Sequence, residues 1–154
     1  MKIAIGINSF KQEADLEKRE ALCIESLRIC KEKNSNVTLY NIIEEGDEID
    51  FDGLKTLNVK QDGKLPYVNK LIDQLAKTDN DLLVFLNNDI VLNASFFKQL
   101  EENIETYPTS RVHLHSLDSL NEDLKLQSYS VHGFDLFAFK KDWWLKNSDL
   151  YPNM

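Results

Sequence analysis

The residues best placed for chemistry are Asn87-Asn88-Asp89, a polar triplet that directly follows the apolar run Leu82-Leu83-Val84-Phe85-Leu86. A continuous apolar run of that length reads as a strand buried on both faces, the mark of a parallel sheet. Such a strand fixes the backbone, so the triplet projects from a rigid platform. A carboxylate there suits a hard divalent cation, Mg²⁺ or Mn²⁺, which takes oxygen ligands and is often held by few carboxylates together with substrate phosphates. The ion would bridge two phosphates and neutralise charge on a departing nucleotide diphosphate. Asn and Asp also favour turns and caps, so a plain strand-to-helix turn is the competing reading.

The elements that must position the triplet follow from periodicity. Ile3, Ile5 and Ile7 alternate along a strand that ends near Asn8-Ser9. A helix is expected from about Ala14 to Lys33, with Leu16, Cys23, Leu27 and Cys30 near one face. Val37 to Ile43 is rich in β-branched and aromatic residues and reads as a second strand. The acidic segment from Glu44 to Lys64 reads as mostly loop, with a short strand around Leu57 to Val59. Pro66 fits the first turn of a helix carrying Val68, Leu71, Ile72, Leu75 and Ala76 inward. After the triplet, Asn93 can cap a helix whose stripe is Phe96 or Phe97, Leu100 and Ile104. Strands are expected at Arg111 to Leu117, Lys125 to Val131 and Phe134 to Phe139, then a short helix around Asp142 to Leu145. The order is a doubly wound α/β half followed by a mixed, partly antiparallel half. Ligands of such sheets settle beyond the carboxyl ends of the strands, at a switch point, which makes Asn8-Ser9 and Asn87-Asn88-Asp89 neighbours.

Composition narrows the function. A chain of 154 residues with 42% hydrophobic and 29% charged residues is expected to form one soluble globular domain over 1–154. The net charge of −8 argues against a broad phosphate-backbone surface, so no nucleic acid partner is expected. No apolar run nears the ~20 residues that span a bilayer. The N-terminus reads as a buried strand rather than a signal peptide, so the expected location is cytoplasmic. Cys23 and Cys30 lie about two helical turns apart and read as buried, reduced core thiols. Asn8-Ser9-Phe10-Lys11-Gln12-Glu13 lacks the glycine-rich phosphate loop of a nucleotidyltransferase and the acidic pair of a phosphoacceptor receiver. A dinucleotide-binding fingerprint is also absent.

Phe85-Leu86-Asn87-Asn88-Asp89-Ile90-Val91-Leu92 resembles the D-x-D region of GT-A glycosyltransferases, particularly the family 2-like group. Upstream, Lys64 to Ala76 followed by Asp81 onward is similar to that group's helix-then-strand approach to the motif. Asn8-Ser9-Phe10 and the helix with Arg19 and Leu22 to Leu27 resemble its opening unit, and His132-Gly133-Phe134-Asp135 resembles a later segment on the acceptor side of the cleft.

The resemblance implies an α/β, GT-A-like (nucleotide-diphospho-sugar transferase) three-layer sandwich with a mostly parallel, mixed central sheet. It implies a UDP- or GDP-sugar donor, a glycan acceptor and a divalent metal, Mn²⁺ or Mg²⁺. Asn8 and Ser9 would lie near the base or ribose, and Asn88 near the ribose or sugar. Asp89, beside Asn87, would hold metal and diphosphate, with His132 as a second metal or phosphate ligand. Asp135 would be the carboxylate that deprotonates the acceptor.

Asn87 stands where the usual motif has its first acid, and the chain stops soon after Asp142-Trp143-Trp144, where family members continue. A non-catalytic GT-A-like accessory domain is therefore the alternative expectation.

Other features carry less. His113 and His115 share one strand face with no third ligand at a matching spacing, which reads as a polar sheet face. Trp143 and Trp144 offer a sugar-stacking pair or a core edge. With Tyr151 they would form a contact surface if the chain is a homo-oligomer.

Overall fold

The computed structural model describes residues 1–60, 65–106, 109–112 and 136–151. Strand β1 spans Ile3–Asn8, helix α1 Ala14–Lys33, β2 Val37–Glu44 and β3 Lys55–Val59. Helix α2 (Val68–Ala76) leads into β4 (Leu82–Leu86), and α3 (Phe96–Thr106) into β5 (Thr109–Val112). The chain closes with β6 (Leu136–Lys140) and α4 (Lys141–Asn147), then a 3₁₀ turn at Ser148–Leu150. The strands form one six-stranded sheet in the order β3-β2-β1-β4-β6-β5. Strands β3, β2, β1 and β4 are parallel, and β6 runs antiparallel to both β4 and β5.

Strand parity sorts the core into two layers. Ile3, Ile5, Ile7, Leu82, Val84 and Leu86 point to one face and meet Cys23, Leu27 and Cys30 of α1 and Phe97, Leu100 and Ile104 of α3. Ala4, Ile42, Leu83, Phe85 and Phe139 point to the other face, against Leu71, Ile72 and Leu75 of α2 and Trp144 of α4. Helices therefore cover both faces of a mostly parallel sheet, the expected three-layer arrangement. Buried on both sides, β4 is apolar at every position, which explains its uninterrupted run. No helix among the described residues is long and apolar enough to cross a membrane.

Three local expectations are corrected. Leu16 keeps to the α1 stripe but is 40% exposed. At 20 residues α1 is about 30 Å long and β1, with six residues, about 20 Å, so β1 cannot underlie the helix along its whole length. Pro66 lies before the α2 helix, not in its first turn, because Tyr67 is the N-cap. Asn93 does not cap α3 directly: its Oδ1 accepts from the Ser95 backbone N–H and hydroxyl and so shapes the turn ahead of the helix.

Of the C-terminal aromatic residues, Trp144 is core, while Trp143 and Tyr151 are partly buried against it. Trp144 is 1% exposed and donates its indole N–H to Asp73 Oδ1 at 2.9 Å. Its ring packs on Phe139 and Tyr151, so it is unavailable as the contact surface expected there.

Candidate functional site

Strand β1 continues through β2 to β3 on one side, and β4 adds to its other side, so the strand order reverses between β1 and β4. At the carboxyl ends of these two strands lies a cleft of about 340 Å³. Its polar lining is Asn8, Gln12, Asn87, Asn88 and Asp89, and its apolar walls include Phe10, Leu16, Leu65, Pro66 and Phe85. Apolar walls with a few convergent polar groups at a switch point are the usual form of a small-ligand site.

A larger groove, about 790 Å³, lies beside α2 and the β3 edge and carries Lys60, Lys70 and Lys77 with Glu45 and Asp73. Its opposing charges largely cancel, and the Asp73 carboxylate is already engaged by Trp144. The smaller cleft is the better candidate because its polar groups converge at strand ends.

The floor of the cleft is built on a residue that the sequence reading missed. Glu20 on α1 is only 7% exposed, yet it carries a carboxylate. Its Oε2 accepts the Ser9 hydroxyl at 2.8 Å and the Asn88 side-chain amide at 2.6 Å. Ser9 follows β1 and Asn88 follows β4, so this one carboxylate ties three segments together. Asn8 is anchored separately, its Nδ2 donating to the Ile42 carbonyl of β2 at 2.7 Å. A signal for Glu20 was present: it sits three, seven and ten residues before Cys23, Leu27 and Cys30, on the buried stripe of α1. A carboxylate on an inward stripe needs hydrogen-bond partners.

Cys23 lies behind the triplet, its thiol making a weak contact with the Asn87 carbonyl at 3.9 Å. Burial pushes this thiol up to about 12, opposed by a backbone hydrogen bond at Ile90 and reinforced by the charges of Asp89 and Glu20. Both cysteines are free and buried, as expected from the sequence. Gln12 places an Nε2 that is buried and has no partner among the described residues.

The structure thus brings Asn8, Asn87, Asn88 and Asp89 to one cleft, while Ser9 is buried outside its lining and held by Glu20. His132 and Asp135 lie outside the described residues, as do His113 and His115. Among the described residues no three His, Cys, Asp or Glu side chains gather around one point, so Asp89 is the single carboxylate lining this cleft.

No family model matches the chain, and no curated protein matches it in sequence. Solved structures do match in shape. S. aureus TarS superposes with a TM-score of 0.55 at 14% identity over 99% of this chain. CMP:2-keto-3-deoxy-manno-octonic acid synthetase, solved with CTP, gives 0.58 at 14% identity over 100% of this chain and 80% of its own. The 4-diphosphocytidyl-2C-methyl-D-erythritol synthase of Anaerococcus prevotii gives 0.58 at 12% identity, over 97% of this chain and 76% of its own. The chain spans about half the length of TarS, 51%, and TarS has also been solved with UDP and with UDP-GlcNAc. The sheet order, the helices on both faces and these superpositions together show that the chain has the GT-A, nucleotide-diphospho-sugar transferase, fold.

Proposed function

We propose that the chain binds a UDP- or GDP-sugar in the cleft between β1 and β4 and takes part in transfer of the sugar to a glycan. The observation that carries this reading is the convergence of Asn8, Gln12, Asn88 and Asp89 on one cleft at the switch point. The structural neighbours solved with UDP, UDP-GlcNAc and CTP support a nucleotide in that place. The β1–α1 segment, Ser9 to Glu13, has no glycine. That favours the glycosyltransferase reading over the nucleotidyltransferase chemistry of a glycine-rich phosphate loop.

The residues fit a divalent metal only in company. Asp89 offers one carboxylate and its neighbours offer amide oxygens, a set that holds Mg²⁺ or Mn²⁺ when the donor's phosphates complete the shell. Bound there, the ion would offset charge on the departing diphosphate. Asn8 and Ser9 would position the nucleoside, and Asn88 the ribose or sugar. Asp135 is assigned the acceptor proton, and His132 a phosphate or metal contact.

Calorimetric titration with UDP, GDP and CTP, each with and without Mn²⁺, tests the proposal alongside Asp89→Ala. The expected result is metal-dependent binding of UDP or GDP, at least about tenfold weaker in the variant, from loss of a charge-assisted contact. Preference for CTP would move the reading to nucleotidyl transfer. A folded wild-type protein that binds none of them would leave the accessory-domain reading.

A further inference from the structure

Two side chains at the strand ends donate to one buried carboxylate, that of Glu20. Ser9 gives its hydroxyl proton and Asn88 one N–H of its Nδ2, both to the same Oε2. Asn8 gives one N–H of its Nδ2 to the Ile42 carbonyl. Asn8 and Asn88 both line the cleft, and each keeps its Oδ1 and a second N–H for a ligand.

We infer that Glu20 is a positioning residue that ties the Asn88 amide and the Ser9 hydroxyl together behind the cleft, so that Asn88 meets a ligand in one fixed orientation. An amide held in this way offers its Oδ1 and its second N–H to the hydroxyls of a ribose or sugar, or to the edge of a base. Glu20 achieves this from α1 without lining the cleft itself. Its removal therefore alters recognition through Asn88 and not by loss of a direct contact. The geometry stands without any ligand. Only the class of ligand rests on the nucleotide-sugar reading.

The test begins with the ligand-free protein. In ¹⁵N spectra, the Asn88 side-chain NH₂, assigned by its loss in Asn88→Ala, should exchange with water at least about tenfold more slowly than an unstructured asparagine amide. Glu20→Ala should abolish that protection. Glu20→Gln should keep most of it, because a glutamine Oε1 can accept both bonds. UDP affinity with Mg²⁺ should follow the same order, about tenfold weaker in Glu20→Ala and near wild type in Glu20→Gln. An unprotected Asn88 amide in the wild-type protein overturns the inference, and that reading needs no Glu20 variant to fold. So does a folded Glu20→Ala protein that binds UDP as the wild type does. Protection that depends on Glu20 in a protein that binds no UDP upholds the inference and defeats the nucleotide reading alone.

Discussion

Gly6 lies at the centre of β1, paired with Tyr40 of β2 and Phe85 of β4, and faces α2. An alanine Cβ there would stand 2.9 and 3.0 Å from the Leu75 methyl groups and 3.1 Å from Ile42 Cδ1. Carbon atoms attract best at about 3.5–4.0 Å, so Leu75 would have to withdraw by about 0.5–1 Å. It is fully buried, so its methyl groups must shift within the core. Overpacking of this kind costs about 1–3 kcal/mol. A less flexible unfolded chain returns about 0.4–1 kcal/mol. Gly6→Ala should therefore destabilise by up to roughly 2.6 kcal/mol. At about 2–4 °C per kcal/mol for a chain of this size, thermal unfolding should fall by up to roughly 10 °C. Leu75→Ala alone should cost about 2–5 kcal/mol through the cavity it leaves. In the double variant the new methyl enters that cavity, so the combined loss should be about 1 kcal/mol smaller than the separate losses predict. Denaturant unfolding of the four proteins measures this coupling. Additivity within about 0.5 kcal/mol would refute the claim that Gly6 is there for the close approach of α2.

Asn41 on β2 is 1% exposed, and neither polar atom of its side chain has a partner among the described residues. Asn41→Leu should raise stability by about 1 kcal/mol in chemical denaturation, since an unpaired buried amide is replaced by an apolar side chain of similar size. A loss of that size would instead mean that a water or ligand satisfies the amide. The raised Cys23 thiol gives a pH signature. The unfolded chain releases this proton from about 9, while the folded chain keeps it until about 12. Above pH 9 the folded state thus binds more protons, so this thiol makes stability fall as pH rises toward 12. Cys23→Ser should flatten that part of the stability profile, and an unchanged slope would contradict the assignment. At pH 8 both buried thiols should resist alkylation in the native protein and react on unfolding, which mass spectrometry after iodoacetamide treatment reads directly.

Much of the fold was legible because burial leaves a period. The strand Leu82–Leu86 is covered on both faces and is apolar throughout, while α2 shows its buried Leu71, Ile72, Leu75 and Ala76 at helical spacing. What periodicity could not show was where an element outruns its support. Leu16 belongs to the inward stripe of α1, yet it is exposed and serves as a wall of the cleft. Trp144, between Trp143 and Leu145, was open in the sequence to sugar stacking, a core edge or a partner contact. Tertiary packing by Phe139 and Tyr151 decides its burial.

Of the site, the strand-end residues Asn8, Ser9 and Asn87 to Asp89 were accessible to reasoning because a parallel sheet places its ligand groups at strand ends. Glu20 was not read, since a glutamate in an amphipathic helix is ordinarily a solvated residue. Its register with Cys23 and Leu27 set it apart, but its partners Ser9 and Asn88 are eleven and sixty-eight residues away in sequence. Only the folded chain brings them within hydrogen-bonding distance.

The most direct test of the account is a titration of ¹⁵N-labelled protein with UDP and Mg²⁺, following the side-chain amides. With a nucleotide bound between β1 and β4, the Asn8, Gln12 and Asn88 amides should shift together and saturate at one affinity, while those of Asn36 and Asn147, outside the cleft lining, stay in place. Shifts confined to the lysine-lined groove beside α2, or no shifts at all, would contradict a nucleotide site between β1 and β4.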